Sequence, residues 1–330
     1  MKLDILVPHY KETPDEVTPL LESIALQQAV DFSHIGVVIA YDGPDAEALP
    51  CEWFGLGANP SPYPFAIEHV LIPEHVGVSA CRNAALDASE ADYVAFCDCD
   101  DMFHNACGLY IVKSEAERGF DMLVSEFVEE TRIEGKPFFT SHQIDQTFVH
   151  GKFYRRRFLV DNDIRFCDRL TVHEDSYFVG LAQALASDAK YCPTPFYLWK
   201  WRDSSVCRHD PDYILKTYNN MLDSNDALVS EFAKRGREDL ARQRVGVMVL
   251  DAYYTMNKPE WLDRTHADYR AAVEKRFAGY FTEHRARWDA LSDAERMAVS
   301  NGVRTRSVME GMQMETQTIG QWLEGVMANA

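Results

Sequence analysis

The sequence of 330 residues lacks several patterns that would assign it to a particular class. No stretch approaches the ~18 uninterrupted apolar residues that a membrane-spanning helix needs. Its eight cysteines include no Cys-x-x-Cys pair, which gives little support to a zinc site. No predicted strand is followed by the Gly-x-Gly-x-x-Gly of dinucleotide-binding enzymes. The first residues lack the basic leader and apolar run of a signal peptide, so we expect a cytoplasmic protein with reduced thiols.

Basic residues are also scarce relative to acidic ones. The sequence has 33 Lys and Arg against 52 Asp and Glu, which gives a formal net charge of -19. An acidic surface repels nucleic-acid phosphates and anionic lipid headgroups, so we expect neither nucleic acid nor a bare membrane as partner. Hydrophobic residues make up 46% of the chain, which is enough for a sizeable core.

The first part of the chain alternates short apolar runs with helical patterns. This alternation predicts an α/β fold with a mostly parallel sheet flanked by helices. We predict strands at Leu3–Val7, Ile35–Ala40, Ile67–Ile72, Tyr93–Cys97, Met122–Thr131 and Phe138–Phe139, and helices at Asp15–Gln28, Ser79–Ala88 and Leu109–Arg118. From about Pro211 the pattern is helical, so we predict a domain over residues 1–210 and a helical C-terminal extension over 211–330.

Two patterns in this extension make specific predictions. Ser292 and Glu295 have the spacing of a capping box before a helix. A later apolar stripe at helical spacing predicts packing in the core or against a second copy in a homodimer. The stripe consists of Ile319, Trp322, Leu323, Val326 and Met327.

The clearest chemical signal is the acidic cluster that follows the strand predicted at residues 93–97. It contains Asp98, Asp100 and Asp101. Ligands bind at the carboxyl ends of strands in open α/β sheets, and crowded carboxylates stay ionised most readily around a divalent cation. Mg²⁺ and Mn²⁺ prefer such oxygen ligands. A solvated acidic turn is the alternative. As far as the strand continues, the alternation of side chains along it would place Asp98 and Asp100 on the same side.

Two earlier strand ends carry further candidates. Pro8, His9 and Tyr10 follow the first strand, and Tyr41 and Asp42 follow the second. An aromatic ring can stack on a nucleobase, and a carboxylate can accept a hydrogen bond from N3–H of uracil. The alternative for Asp42 is an ordinary Asp-Gly turn.

One cationic side chain and one neutral hydrogen-bond donor lie in the helix predicted before the acidic cluster. Gly77 permits close backbone approach. Arg82 offers a cation for a diphosphate, and Asn83 offers an amide. The alternative for Arg82 is a surface arginine on an amphipathic helix. The triplet at residues 155–157, all arginine, could contact a diphosphate or an anionic acceptor, or form a solvated helix face.

Glu174 and Asp175 precede a further helical pattern. Carboxylates stabilise helix N-termini, which is a sufficient structural explanation for both. The functional alternative is that Asp175 acts as a general base in an acceptor cleft.

Taken in order, these segments resemble the family 2 glycosyltransferases of the GT-A fold, over roughly residues 3–207. The likeness rests on these segments: Pro8–Lys11, Tyr41–Pro44, Gly77–Asn83, Asp98–Asp101, His150–Leu159, Ile164–Phe178 and Tyr197–Val206. The sequence departs from the family pattern at Lys11, Tyr41 and Cys81, where Asn, Asp and Ala are usual.

The resemblance implies an enzyme that moves a sugar from a nucleotide diphosphate, with UDP favoured, to an acceptor hydroxyl with inversion. It implies that Asp42 binds the base, that Asp98 binds the ribose or diphosphate, and that Asp100 holds Mn²⁺ or Mg²⁺ together with Asp98. It further implies that Asp175 is the catalytic base. Some family members use a late histidine as a metal ligand, for which His209 is the candidate. The other donor-binding candidates are Pro8, Tyr10, Arg82, Asn83 and Glu174.

Two other functions remain open from the sequence. A phosphohydrolase of the haloacid dehalogenase type also places Asp-x-Asp after an apolar strand, and Asp98 would then be its nucleophile. A non-catalytic binder of nucleotides or glycans is the second. The acceptor of a transferase could be a glycan, a lipid-linked molecule or a small molecule.

Overall fold

The computed structural model describes residues 1–46, 49–50, 53, 61–203, 212–309, 311 and 318–329. The chain divides into two compact units, Met1–Asp203 and Ser204–Ala330. The domain boundary predicted after residue 210 lies outside the described residues and stays a prediction.

In the described residues of the first unit, a mixed sheet of nine strands forms the centre. Its strands are β1 (Leu3–His9), β2 (Ile35–Asp42), β3 (Ala66–Ile72), β4 (Tyr93–Phe96), β5 (Met102–Phe103), β6 (Met122–Ile133), β7 (Lys136–His142), β8 (Lys152–Arg155) and β9 (Ala189–Trp199). The order is β3-β2-β1-β4-β8-β6-β9-β5, with β7 paired to β6. Strands β1 to β4 are parallel, and β8 runs antiparallel to β4 and β6. The predicted α/β class is confirmed.

The helices of this unit connect the strands. They are α1 (Pro14–Ala25), α2 (Val78–Ala88), α3 (Gly108–Arg118), α4 (Arg156–Asp161) and α5 (Glu174–Leu185). Helix α1 begins after Thr13, whose backbone N and Oγ1 donate to Glu16 at 2.8 and 3.0 Å in a capping box. It ends at Ala25, before the predicted Gln28.

The central strands are buried along nearly their whole length. Leu3, Ile5 and Val7 of β1 and Ile39 of β2 are fully inaccessible to solvent. Parallel strands covered on both faces appear as continuous apolar runs, which is why the sequence predicts them well. Burying each such side chain contributes about 1.5–3 kcal/mol. This core fixes the positions at which β1 and β2 end.

The hairpin formed by β6 and β7 is longer than predicted, because its strands extend beyond Thr131 and on both sides of Phe138–Phe139. Glu134 and Gly135 join the strands with φ of 51° and 76°. Two-residue hairpin loops favour positive φ at both positions. The aromatic pair Phe138–Phe139 is exposed, so burial does not mark the ends of β7 in the sequence.

The arginine triplet at residues 155–157 lies at the opposite end of β4 from the acidic cluster. Arg155 pairs with Tyr93, the first residue of β4. Arg157 forms an exposed ion pair of 2.9 Å with Asp161. The triplet therefore does not contact a diphosphate bound beyond the other end of β4.

The described part of the second unit is helical, as predicted. Its helices are α6 (Tyr213–Lys216), α7 (Tyr218–Lys234), α8 (Glu238–Met256), α9 (Pro259–Arg264), α10 (Ala267–Asp289), α11 (Asp293–Met309) and α12 (Ile319–Asn329). The capping box is confirmed, because Ser292 N donates to Glu295 at 2.7 Å and Glu295 N donates to Ser292 Oγ at 3.3 Å.

The apolar stripe of α12 packs inside this second unit. The Trp322 ring lies 5.2 Å from Phe277 and 5.3 Å from Tyr253, measured between ring centroids. The homodimer predicted through this tail stays a prediction. Within the described residues, no helix combines the length and apolar character needed to cross a bilayer.

Candidate active site

The carboxyl ends of β1, β2 and β4 meet at one edge of the sheet. They border a cavity of about 370 Å³. Parallel pairing of β1 with both β2 and β4 brings these ends together, and this edge is where α/β sheets bind ligands. Predicted site residues that line the cavity are Pro8, Tyr10, Asp42, Arg82, Asp98, Asp100 and Glu174.

Arg82 joins two of the predicted elements. Its Nη2 donates to Asp98 Oδ1 at 2.8 Å. Its Nη1 donates to Glu174 Oε1 at 3.0 Å and to Asp175 Oδ1 at 2.7 Å. The Arg82 side chain is only 4% exposed, so it is a buried counter-ion and not the surface arginine of the alternative. Both terminal nitrogens of Arg82 donate to carboxylates. The contact of Arg82 with a diphosphate stays a prediction.

Gly77 sets the start of the helix that carries Arg82. It precedes α2 with φ of 86°, a left-handed conformation that side-chain-bearing residues rarely adopt. Only glycine adopts this conformation at position 77 without backbone strain.

Asp175 lies near the start of α5 and is largely buried. Its Oδ1 faces Arg82, and its Oδ2 accepts a hydrogen bond from Val149 N at 3.2 Å. Burial raises the pKa of Asp175 to about 7, Arg82 opposes this rise, and the negative charges of Glu174 and Asp98 reinforce it. A carboxyl group that titrates near neutrality is suited to proton transfer.

A buried lysine supports the segment that contacts Asp175. Asp145 Oδ1 accepts hydrogen bonds from Phe148 N at 2.7 Å and from Lys152 Nζ at 3.2 Å. Lys152 is buried and is not among the residues predicted from the sequence. This pair holds the chain just before Val149, which donates to the carboxylate of Asp175.

The acidic cluster differs from its predicted arrangement. Strand β4 ends at Phe96, and a turn follows in which Asp101 N donates to Asp98 O at 3.1 Å. Because the strand ends before either residue, strand alternation does not set the directions of Asp98 and Asp100, although both line the cavity. Asp101 is buried and accepts hydrogen bonds from Tyr197 OH at 2.5 Å and Lys200 N at 2.8 Å.

The turn brings Asp98 and Asp101 close to His150. Each of the three offers one potential ligand atom, and these atoms lie within 4.8 Å of one another. His150 Nδ1 is buried and has no hydrogen-bond partner among the described residues. Burial lowers the pKa of His150 to about 3, so its imidazole is neutral. His150 is not among the predicted site residues, although it begins one of the segments in the family likeness.

Asp100 has different partners. Its Oδ2 lies 3.0 Å from Arg202 Nε, and Arg202 Nη1 donates to Glu12 Oε1 at 3.3 Å. Burial and the charge of Asp98 raise the pKa of Asp100 to about 6, against the effect of Arg202. Arg202 and Glu12 also line the cavity, and neither is predicted from the sequence.

Asp42 is buried and bound to the segment that follows β3. Its carboxylate accepts hydrogen bonds from Val76 N at 2.7 Å and Gly77 N at 3.0 Å, and it lies 3.0 Å from His75 Nδ1. Gly43 has φ of 86°, and a Cβ there would lie 2.7 Å from His75 N. The Asp-Gly pair therefore holds residues 75–77 in place.

Two other described residues that the sequence predicts, Asn83 and Asp175, are not among the residues that line the cavity. Asn83 Nδ2 donates to Phe166 O at 3.0 Å, and its Oδ1 accepts from Phe166 N at 2.9 Å, so its amide ties α2 to that segment. Its role in donor binding stays a prediction. His209 lies outside the described residues.

Comparisons with known proteins agree with this architecture. The model of the family described as "Glycosyl transferase family 2" matches residues 4–169, which is half of the chain. No curated protein matches the chain significantly.

Solved structures show the same fold. The chain is similar to S. aureus TarS 1–349 in complex with UDP, with 17% identity, a TM-score of 0.64, and coverage of 96% of this chain and 94% of that chain. For S. aureus TarS 1–349 in complex with UDP-GlcNAc, the identity is 18%, the TM-score is 0.65, and coverage is 96% and 93%.

The matched residues contain β1 to β4, α2 and the acidic cluster. The family match also removes the phosphohydrolase alternative. The chain belongs to glycosyl transferase family 2, has the GT-A fold and is a glycosyltransferase.

Proposed function

We propose that the protein transfers a sugar from a nucleoside diphosphate, with UDP-sugars favoured, to an acceptor hydroxyl with inversion. The acceptor is a glycan, a lipid-linked molecule or a small molecule. The observation that carries the proposal is the Arg82 guanidinium, which joins Asp98 at the donor end of β4 to Asp175 at the start of α5. The presence of UDP and UDP-GlcNAc in similar structures supports the donor class.

The acidic residues fit a divalent cation, Mn²⁺ or Mg²⁺. Carboxylate oxygens are the ligands that these ions prefer. The raised pKa of Asp100 reflects burial and crowding by Asp98, which a cation would relieve. Asp98 and Asp100 would hold it, with His209 as a further candidate ligand, and His150 offers a buried neutral nitrogen beside Asp98. When bound, the cation supplies positive charge that stabilises the leaving nucleoside diphosphate.

Asp175 accepts the proton of the acceptor hydroxyl. As the acceptor oxygen forms its bond to the anomeric carbon, the bond from that carbon to the diphosphate oxygen breaks. One base and one displacement invert the anomeric centre. Arg82 and Val149 hold the two oxygens of Asp175, so the carboxylate is oriented before the acceptor arrives.

The metal assignment predicts the behaviour of Asp100→Asn. We expect this variant to lose roughly 100-fold in affinity for UDP in the presence of Mn²⁺, because loss of even an outer-shell partner of a metal ligand costs about 10–100-fold in metal affinity or activity. The fold should be retained, since an amide can replace the carboxylate in size. Isothermal titration calorimetry with UDP and Mn²⁺ measures the effect.

Asp161→Asn provides the matched control, because Asp161 is an exposed carboxylate on α4 and pairs only with Arg157 among the described residues. Its affinity for UDP should equal that of the wild type. Unchanged affinity in Asp100→Asn would remove Asp100 from the metal site. A wild-type protein that binds no nucleoside diphosphate with Mn²⁺ would contradict the proposed function itself.

The raised pKa of Asp175 predicts a pH dependence of activity. We expect kcat/KM to rise about tenfold per pH unit below pH ~7 and then to level off, because only the ionised base accepts a proton. The effect on stability has the opposite sign. The folded state holds this proton more tightly than the unfolded state, so the free energy of unfolding falls as pH rises from about 4 to about 7.

Initial rates and urea midpoints across this range measure both effects. The stability slope should be reduced in Asp175→Asn, which cannot titrate. A rate that is independent of pH between about 5 and 8 would contradict the assignment of Asp175 as base.

A further inference from the structure

A second cavity lies at the opposite end of β4 from the donor-binding edge and plays no part in the proposed transfer. Its volume is about 370 Å³, which is within the range of small-molecule sites. Its wall contains Tyr93, the first residue of β4, and the arginine triplet at residues 155–157. Strand β8 ends at Arg155 and helix α4 begins at Arg156, so the chain leaves the strand here and successive side chains line one cavity.

Arg156 contributes a cation without a protein partner. Its backbone N donates to Asp92 O at 2.9 Å. Its Nε is buried and has no hydrogen-bond partner, and no carboxylate pairs with its guanidinium, among the residues that the structure describes. Burial raises the pKa of Asp4 and the charge of Arg156 opposes that rise, but the Asp4 carboxylate accepts its hydrogen bond from Ser89 Oγ instead. A buried donor in this state takes its partner from the cavity.

Arg155 is held in place by the backbone. Its N donates to Asp121 O at 2.9 Å, and its Nε donates to Phe120 O at 3.1 Å. Gly119 lies against the same guanidinium, because a Cβ there would be 3.1 Å from Arg155 Nη2. Carbonyl oxygens fix the side chain without neutralising it, and within the described part of the chain it forms no ion pair.

The charge of the cavity differs from that of the whole protein. The formal net charge of the chain is -19, so carboxylates are plentiful, yet Arg155 and Arg156 pair with none that is described. Two neighbouring guanidinium groups repel each other, and an anion between them relieves the repulsion. The planar fork of arginine matches phosphate oxygens two at a time. Asp92 and Glu117 also line the cavity, and their carboxylates can accept hydrogen bonds from hydroxyl groups attached to a phosphate.

We propose that this cavity binds a phosphate group through the guanidinium groups of Arg155 and Arg156. The phosphate is either free or carried by a small hydroxylated molecule such as a sugar phosphate. The site goes beyond the proposed function, because it lies at the other end of β4 from Asp98 and takes no part in the transfer. It can therefore be tested without donor, acceptor or metal.

Isothermal titration calorimetry with inorganic phosphate and with glucose 6-phosphate tests the proposal. We expect saturable binding by the wild type, and the tighter of the two compounds identifies free or esterified phosphate. Arg156→Met should weaken binding by about tenfold or more, because hydrogen bonds between charged groups are strong. Its midpoint in urea without phosphate should stay that of the wild type, since the side chain has no protein partner to lose. Arg155→Lys keeps the charge but not the fork, and should also weaken binding about tenfold.

Arg118→Met is the matched control. Arg118 is 72% exposed, pairs with Glu115 at 2.9 Å and does not line the cavity, so its variant should bind phosphate as the wild type does. Arg156→Met should also keep wild-type affinity for UDP with Mn²⁺. The inference is overturned if the wild type binds neither compound saturably, if Arg156→Met binds as tightly as the wild type, or if Arg156→Met loses UDP affinity in parallel. Failure of the wild type to bind UDP would instead count against the proposed function alone.

Discussion

Asp175→Asn is expected to lose about 10²–10⁴-fold in kcat, the usual contribution of a general base. The variant should still bind the donor, because Asp175 is assigned to the acceptor hydroxyl and not to the nucleotide. The amide has nearly the same shape, and its oxygen can still accept the hydrogen bond from Val149 N. Turnover is measured as UDP release in the presence of acceptor, and donor binding is measured by calorimetry.

Two further measurements distinguish a role of Asp175 as general base from a role as helix cap. Asp161→Asn changes an exposed carboxylate on α4 and should keep wild-type turnover. Proton NMR of the first product formed from an α-linked donor should show a β-linkage, as a single displacement requires. An α-linked product, or normal turnover in Asp175→Asn, would leave Asp175 with a structural role at the start of α5.

The parts of the fold that follow from the sequence are those with strong local signals. Central strands β1, β2 and β4 are continuous apolar runs because both faces are covered. Ser292 with Glu295 marks a helix start through contacts three residues apart. Strands β8 and β9 are not predicted from the sequence, because they depend on pairing with distant parts of the chain.

The candidate site also contains some residues that local sequence signals reveal and others that they do not. Asp98, Asp100 and Asp175 can be found from their position after a strand or before a helix. His150 and Arg202 cannot, because they reach the acidic cluster through the fold from about 50 and 100 residues away. Asp42 is a different case. Its position is predicted correctly, but its contacts with residues 75–77 depend on the packing of that segment against the end of β2.

Arg82→Met is expected to lower the free energy of unfolding by about 3–5 kcal/mol, the cost of leaving buried charges without their partner. Methionine fills much of the space of the arginine stem, so loss of charge and not loss of volume dominates. Asp98, Glu174 and Asp175 would each lose a hydrogen bond of 2.7–3.0 Å to the guanidinium. Arg82 also opposes the rise in the pKa of Asp175, so any residual activity should require a higher pH than in the wild type.

Urea denaturation at about pH 8 and about pH 5 tests the origin of the loss. Protonated carboxyl groups need no counter-charge, so the destabilisation should be smaller at the acidic pH. Arg165→Met is the matched control, because Arg165 pairs with the exposed Asp87 at 2.7 Å. Such exposed pairs contribute only about 0–1 kcal/mol. If Arg82→Met costs no more than Arg165→Met, or costs the same at both pH values, then Arg82 is not the counter-ion that joins the donor end of β4 to the catalytic base.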